Sequence, residues 1–145
     1  MLPNPNSPVT SQSLAHCQYL KAVIKESFRL NPISVGIGRV LSEDAIFSGY
    51  HVPSGNVVVT QNQVVSRLPE YFKNPNNFLP ERWIKSDAMY ESVSPYLVLP
   101  FGHGPRSCIA RRLAEQNMQV LILRVSIFCA FIKLYKIYQF FVLNF

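Results

Sequence analysis

Phe101-Gly102-His103-Gly104-Pro105-Arg106-Ser107-Cys108 is a loop that delivers a thiol to the start of a helix. Its two glycines lack a Cβ, so the backbone there can approach a bulky ligand closely. Arg106 sets a cation two residues before the cysteine, and helical spacing follows at Ile109, Leu113, Asn117, Val120 and Leu121. A cysteine at a helix N-terminus faces unpaired N–H groups and the positive end of the dipole, which favour the thiolate. In isolation, a Gly-x-Gly…Cys run reads as a structural cysteine beside a turn. A phosphate cradle is excluded, because no GxxxxGK[ST] run is present.

Upstream of this loop the chain alternates helix, strand and irregular signals. Thr10 is placed to cap a helix, with Val9 and Leu14 spaced for a hydrophobic staple, and a break is expected near Cys17. From Tyr19, the side chains Leu20, Val23, Ile24 and Phe28 recur at helical spacing until Asn31-Pro32 stops the pattern, predicting a helix to about Leu30. Arg39–Leu41, Ala45–Phe47, Tyr50–Val52 and Val57–Thr60 are short β-branched and aromatic runs between turn signals, and predict a small antiparallel sheet. Residues 62 to 68 suit a short helix. Residues 69 to 100 carry five prolines among Asn and Ser, and should be mostly irregular, which in a long loop usually marks function.

Lys plus Arg number 14 against 8 acidic residues, a net charge of +6, so partners should be anionic: an acidic protein, a membrane surface or nucleic acid. Cys17, Cys108 and Cys129 form neither a disulfide framework nor a zinc pattern. The segment Met1 to Pro8 has no basic or apolar leader pattern and no Arg-rich amphipathic one, so no secretory or mitochondrial address is read there. Val125 to Phe145 is nearly all apolar and long enough to span a bilayer. Lys133 and Lys136 would each cost roughly 2.5 to 3.5 kcal/mol at its centre, so an interfacial helix or a misfit tail is the better expectation.

Two further patterns join the loop: Glu26-Ser-Phe-Arg29 on the expected helix, and Pro80-Glu-Arg-Trp83 in the irregular stretch. Singly they mean little, since an exposed Glu–Arg pair three apart contributes only about 0.2 to 0.5 kcal/mol. In this order, with Phe101-x-x-Gly-x-Arg-x-Cys108, they resemble the K-helix ExxR, the PERF-type motif and the haem-binding loop of the cytochrome P450 family. The resemblance implies an α+β segment, the C-terminal part of a mainly α fold: K helix, small antiparallel sheet, meander and haem-binding loop, L helix. It implies haem b (iron protoporphyrin IX) as cofactor, with Cys108 ligating the iron, Arg39 and Arg106 at the propionates and Phe101 near the sulfur. Glu26, Arg29 and Arg82 inherit a locked structural network that presents the cysteine.

Tyr19-Leu-Lys-Ala-Val-Ile-Lys-Glu-Ser-Phe-Arg-Leu30 and Cys108-Ile-Ala-Arg-Arg-Leu-Ala-Glu115 look like the K and L helices of the mitochondrial clan. Lys21 and Lys25 lie about 40° apart around a helix axis. The clan implies that they, with Arg111 and Arg112, meet an acidic ferredoxin that delivers electrons. It also implies a steroid-like substrate, association with the mitochondrial inner membrane, and no nucleic acid. Asn31-Pro-Ile-Ser-Val-Gly-Ile-Gly38 and Pro95 to Cys108 look closest to the insect ecdysteroid 22-hydroxylase group.

The resemblance covers roughly residues 8 to 124. Ala110 stands where the family pattern has Gly, and beyond Arg124 the chain departs from the family's β-hairpin. The expected organisation is therefore a partial P450 domain over 1–124 and a divergent hydrophobic tail over 125–145. The family's oxygen-activating helix has no counterpart in these residues, so no catalytic residue is expected among them. Two readings follow: a haem-thiolate monooxygenase segment, or a non-catalytic truncated remnant that at most binds haem or a protein. The missing helix tips the sequence slightly toward the second.

Overall fold

A computed structural model describes residues 7–143, and side chains as far as residue 130. The opening Met1–Asn6 and the aromatic side chains of the tail from Phe131 onward lie outside the described residues. The chain divides into two compact units: Lys25–Cys108, and Met1–Ile24 with Ile109–Phe145.

In the second of these, helix α1 (Ser11–Ala15) starts where its cap predicts. Ser13 N donates to Thr10 Oγ1 at 3.2 Å and Thr10 N to Ser13 Oγ at 3.0 Å, which satisfies two N–H groups at the helix start. The chain breaks at His16-Cys17 and restarts as α2 (Gln18–Leu30), which runs on into the other unit. The final helix, α4 (Arg111–Leu143), passes through residues 124 and 125 without interruption. Among the described residues no helix is long and apolar enough to cross a membrane.

The unit Lys25–Cys108 holds four strands, β1 (Ile37–Val40), β2 (Ala45–Phe47), β3 (Tyr50–Val52) and β4 (Val57–Thr60). One sheet was the expectation, and the strands form two separate antiparallel ladders, β1 with β4 and β2 with β3. The reason is local. Asp44 Oδ1 accepts from Ser54 N at 2.8 Å and Oδ2 meets His51 Nε2 at 3.0 Å, so the chain bends at Ser42–Asp44 and β2 leaves the first ladder. A two-residue turn with Ser48 at φ +50° and Gly49 at φ +88° then closes β2 onto β3.

After the short helix α3 (Asn62–Val65), residues 66 to 110 are turns and bends, with 3-10 turns at Pro80–Trp83 and Gly104–Arg106. What holds this irregular stretch is polar. The largest fully buried side chains among the described residues are Arg29, Arg82, Phe72 and Glu26. The buried face of α2 bears out the apolar periodicity in part. Ile24 of the expected stripe is buried and Leu20, Val23 and Phe28 are half-buried, while Ala22, Glu26, Arg29 and Leu30 are buried as well.

Candidate functional site

The cysteine loop is shaped by its backbone. Gly102 at φ +76° and Gly104 at φ +73° occupy the left-handed region, which an L side chain adopts only with strain. A Cβ at Gly104 would meet nothing within 4 Å, so what glycine provides there is conformation and open space. Ser107 N donates to Gly104 O at 2.9 Å, and Cys108 N to Phe101 O at 2.8 Å, closing the loop on its own first residue. The Phe101 ring meets Phe28 of α2 edge-on at 5.3 Å and 74°. On the outer side His103 meets Tyr96 at 5.2 Å and 78°. Cys108 is exposed at the end of this arrangement.

The ion network joins α2 to residues 66 to 91. Glu26 accepts Arg29 Nε at 2.9 Å and Nη2 at 2.8 Å, the two-point fork that planar guanidinium and carboxylate make. It also accepts Arg82 Nε at 3.1 Å, Leu79 N at 3.0 Å and Trp83 Nε1 at 2.9 Å. Arg29 spends its remaining N–H groups on the carbonyls of Ser66, Pro75 and Asn77. Arg82 spends its own on Lys73, Asn74 and the Glu91 carboxylate. Phe72 lies against both cations, its centroid 5.1 Å from Arg29 Cζ and 5.8 Å from Arg82 Cζ.

Burial by itself would raise the Glu26 carboxyl, and it is the strongest single influence. The Arg29 fork, the Leu79 N–H and the Trp83 indole together outweigh it and hold Glu26 below the ordinary glutamate value. A buried charge is tolerated only when its lone pairs are filled in this way. The consequence is mechanical: two arginines pin five backbone carbonyls of a stretch that has no sheet or long helix to order it.

The structure thus brings Glu26, Arg29 and Arg82 together, and sets Phe101 against Cys108 through a backbone bond. Arg39 is exposed and donates to Gly38 O at 2.8 Å; Arg106 is exposed at the end of its 3-10 turn. Lys21 Nζ donates to Ala15 O at 3.1 Å, Arg111 Nε pairs with Glu115 Oε1 at 3.0 Å, and Arg112 is exposed. Lys25 holds its ammonium 4.5 Å from the Trp83 ring centroid.

Sequence reasoning missed Glu91, Phe72 and the Trp83 N–H. Trp83 stood inside a quoted motif, so its indole was within reach of that reasoning. Glu91 and Phe72 carry no local signal, since only the folded path of residues 66 to 91 brings them to Arg82.

The donor set discriminates among metal groups. Among the described residues no three His, Cys, Asp or Glu side chains gather as a cage for an ion. One exposed thiol on an open loop suits a group that brings its own equatorial ligands and needs a single axial donor, as an iron porphyrin does. Exposed Arg39 and Arg106 are cations suited to its carboxylates, so the residues present fit haem.

The sequence matches the family model described as Cytochrome P450 over residues 2–125. It is 61% identical over 107 residues to "Cytochrome P450 302a1, mitochondrial" of Drosophila melanogaster, covering 74% of this chain and 21% of that protein. It is 38% identical over 132 residues to "Probable cytochrome P450 49a1" of the same fly, covering 86% and 22%. Against "Cytochrome P450 12b1, mitochondrial" of Drosophila acanthoptera the identity is 36% over 133 residues, covering 86% and 25%. The chain spans about a fifth to a quarter of the length of these relatives.

Proposed function

This chain belongs to the cytochrome P450 family, whose members bind haem b, and from that premise we propose that it is the haem-ligating segment of a mitochondrial monooxygenase. In this reading α2 is the K helix, residues 66 to 100 the meander, 101 to 108 the haem-binding loop and the start of α4 the L helix. Residues 1–124 are the P450 part and 125–145 a divergent tail. The observation that carries the proposal is Cys108, exposed on a loop whose Phe101 meets α2, the helix that also bears Glu26 and Arg29 of the buried network with Arg82.

Each residue then has a task. Cys108 would hold the haem iron through its thiolate, with Phe101 beside the sulfur and Arg106 and Arg39 meeting the propionates. When bound, the thiolate-ligated haem supplies oxygen activation, because an anionic sulfur pushes electron density toward O–O cleavage. Glu26, Arg29 and Arg82 hold the backbone that presents the sulfur. The substrate is a steroid-like molecule, hydroxylated with O₂ and electrons from an acidic ferredoxin that meets Lys21, Lys25, Arg111 and Arg112, and the place is the mitochondrial inner membrane. Support for the location comes from the relatives named mitochondrial, and support for the substrate class from the 31–38 and 95–108 stretches. The remnant reading gains nothing from the structure, since all three motifs are retained and the two that form the network are assembled.

The test is the carbon monoxide difference spectrum of the haem-reconstituted chain. Wild type should give a thiolate-type band, Cys108→Ser should lose it because a hydroxyl is a poor, protonated donor, and Cys17→Ser should keep it. An unchanged spectrum in Cys108→Ser would remove the thiolate assignment.

A further inference from the structure

Arg29 and Arg82 pin carbonyls that all lie between Ser66 and Asn77. Glu91 is the member of the same network that lies beyond Trp83, on the chain running to the cysteine loop. It meets Arg82 twice: the carboxylate accepts from Arg82 Nη1, and the Glu91 N–H donates to Arg82 O at 3.0 Å. Its second oxygen accepts from Lys73 N at 3.3 Å. Arg82 needs that second carboxylate, because Glu26 already answers Arg29 with a two-point fork and gives Arg82 one oxygen, at 3.1 Å. With Glu91 the set holds two cations and two anions, the balance that a desolvated cluster requires.

Residues 92 to 100 form neither helix nor strand, so their path is set by where they start and how stiff they are. Pro95 and Pro100 each fix a φ angle, and local turns close from Leu97 N to Ser94 O at 3.2 Å and from Gly102 N to Leu99 O at 3.1 Å. Tyr96 also lies edge-on against His103 of the loop. A segment braced in this way carries a displacement of its first residue on to Phe101 rather than absorbing it.

We infer that Glu91 is a positioning residue for Cys108: it ties the start of the 92–100 connector to Arg82 and thereby sets where the cysteine loop begins. This rests on the haem-ligating reading above for what the sulfur is presented to, and adds the residue through which the network reaches the loop. Glu91 sits at the rim of the network. Its side chain is 13% exposed against 0% for Glu26, so its release admits water at Arg82 Nη1 and leaves the inner fork in place. Loss of Glu91 therefore loosens the connector and the loop while Leu79 N stays bonded to Glu26.

Amide hydrogen exchange resolved by NMR reads this in the full chain, held in a mild nonionic detergent. The reporters are Ser107 N and Cys108 N, bonded to Gly104 O and Phe101 O within the loop, and Leu79 N, bonded to Glu26. In Glu91→Gln, exchange should quicken about tenfold or more at Ser107 and Cys108 and stay within about twofold of wild type at Leu79. Glu43→Gln, which removes the same charge from an exposed bend, should change neither. Reconstituted with haem, Glu91→Gln should retain less of the thiolate-type carbon monoxide band than Glu43→Gln. Equal quickening at all three amides would make Glu91 a general support of the fold, and no quickening would detach it from the loop. Either result overturns the inference, as would an undiminished band. A wild type that lacks the band while its loop amides still answer to Glu91 would overturn the haem reading and leave the coupling in place.

Discussion

Glu26 is the residue on which most of the ordering depends. Arg82→Ala removes one cation from a buried, fully bonded carboxylate and frees the Lys73 and Asn74 carbonyls, so a loss of about 3 to 5 kcal/mol is expected. Lys21→Ala removes only an exposed bond to Ala15 O and should barely move the melt. Equal losses in matched thermal melts would mean the network is not what holds residues 66 to 91. The same carboxylate sets an acid limit. Its folded-state value lies below the unfolded value of about 4.3, so its contribution is complete above that value and is lost as pH falls through the folded one. Melting temperature should stay level from neutral pH to about 5 and then decline. Trp83→Phe deletes a hydrogen bond to the charged form, about 1.5 to 3 kcal/mol, and raises the folded value toward the unfolded one, so its acid decline should begin at the same pH as in wild type and be smaller.

At the scale of elements, the β1–β4 ladder offers a paired comparison. Gly36 lies so close to β4 that an added Cβ would run into the Thr60 carbonyl and stand 3.0 Å from the Val59 side chain. At Gly38, two residues on, the same atom would meet Val57 and Val59 at 3.8 and 3.9 Å, ordinary contact distances. Gly36→Ala should therefore push the strands apart and cost about 1 to 3 kcal/mol, while Gly38→Ala should be near neutral, as read by chemical denaturation. Equal effects would place the close approach elsewhere. Sequence showed the strands because their β-branched runs are local. It did not show that they split into two ladders, since that depends on Asp44 meeting Ser54 and His51 across the bend.

For the molecule as a whole, exposed apolar area is the governing quantity. The buried apolar side chains among the described residues are few: Leu14, Ala22, Ile24, Leu30, Phe72 and Pro80. In the Lys25–Cys108 unit Ile33, Ile46 and Tyr50 stand 85%, 72% and 77% exposed; in the other, Ile109, Leu121 and Phe128 are exposed as well. Soluble monomers rarely leave so many large apolar groups uncovered, and such surfaces associate. The full chain should therefore sediment with vesicles or as assemblies in the absence of detergent. Deleting 125–145 should reduce this and not abolish it, because the Lys25–Cys108 unit keeps its own exposed groups. A monodisperse monomer from the full chain would contradict the expectation.

The sequence by itself determined the order of elements, the thiol at the head of a helix and the family, because caps, prolines, β-branched runs and motif spacing are properties of neighbouring residues. Apolar periodicity found Ile24 on the buried side of α2 and missed Glu26 and Arg29, because a buried charge looks like a surface charge until its partners are known. Only the tertiary structure decided that Trp83, Leu79 and two arginines converge on one carboxylate, and that Glu91 reaches Arg82. Those contacts join residues up to 57 positions apart, and what makes them favourable is mutual desolvation, which no single segment of the chain carries.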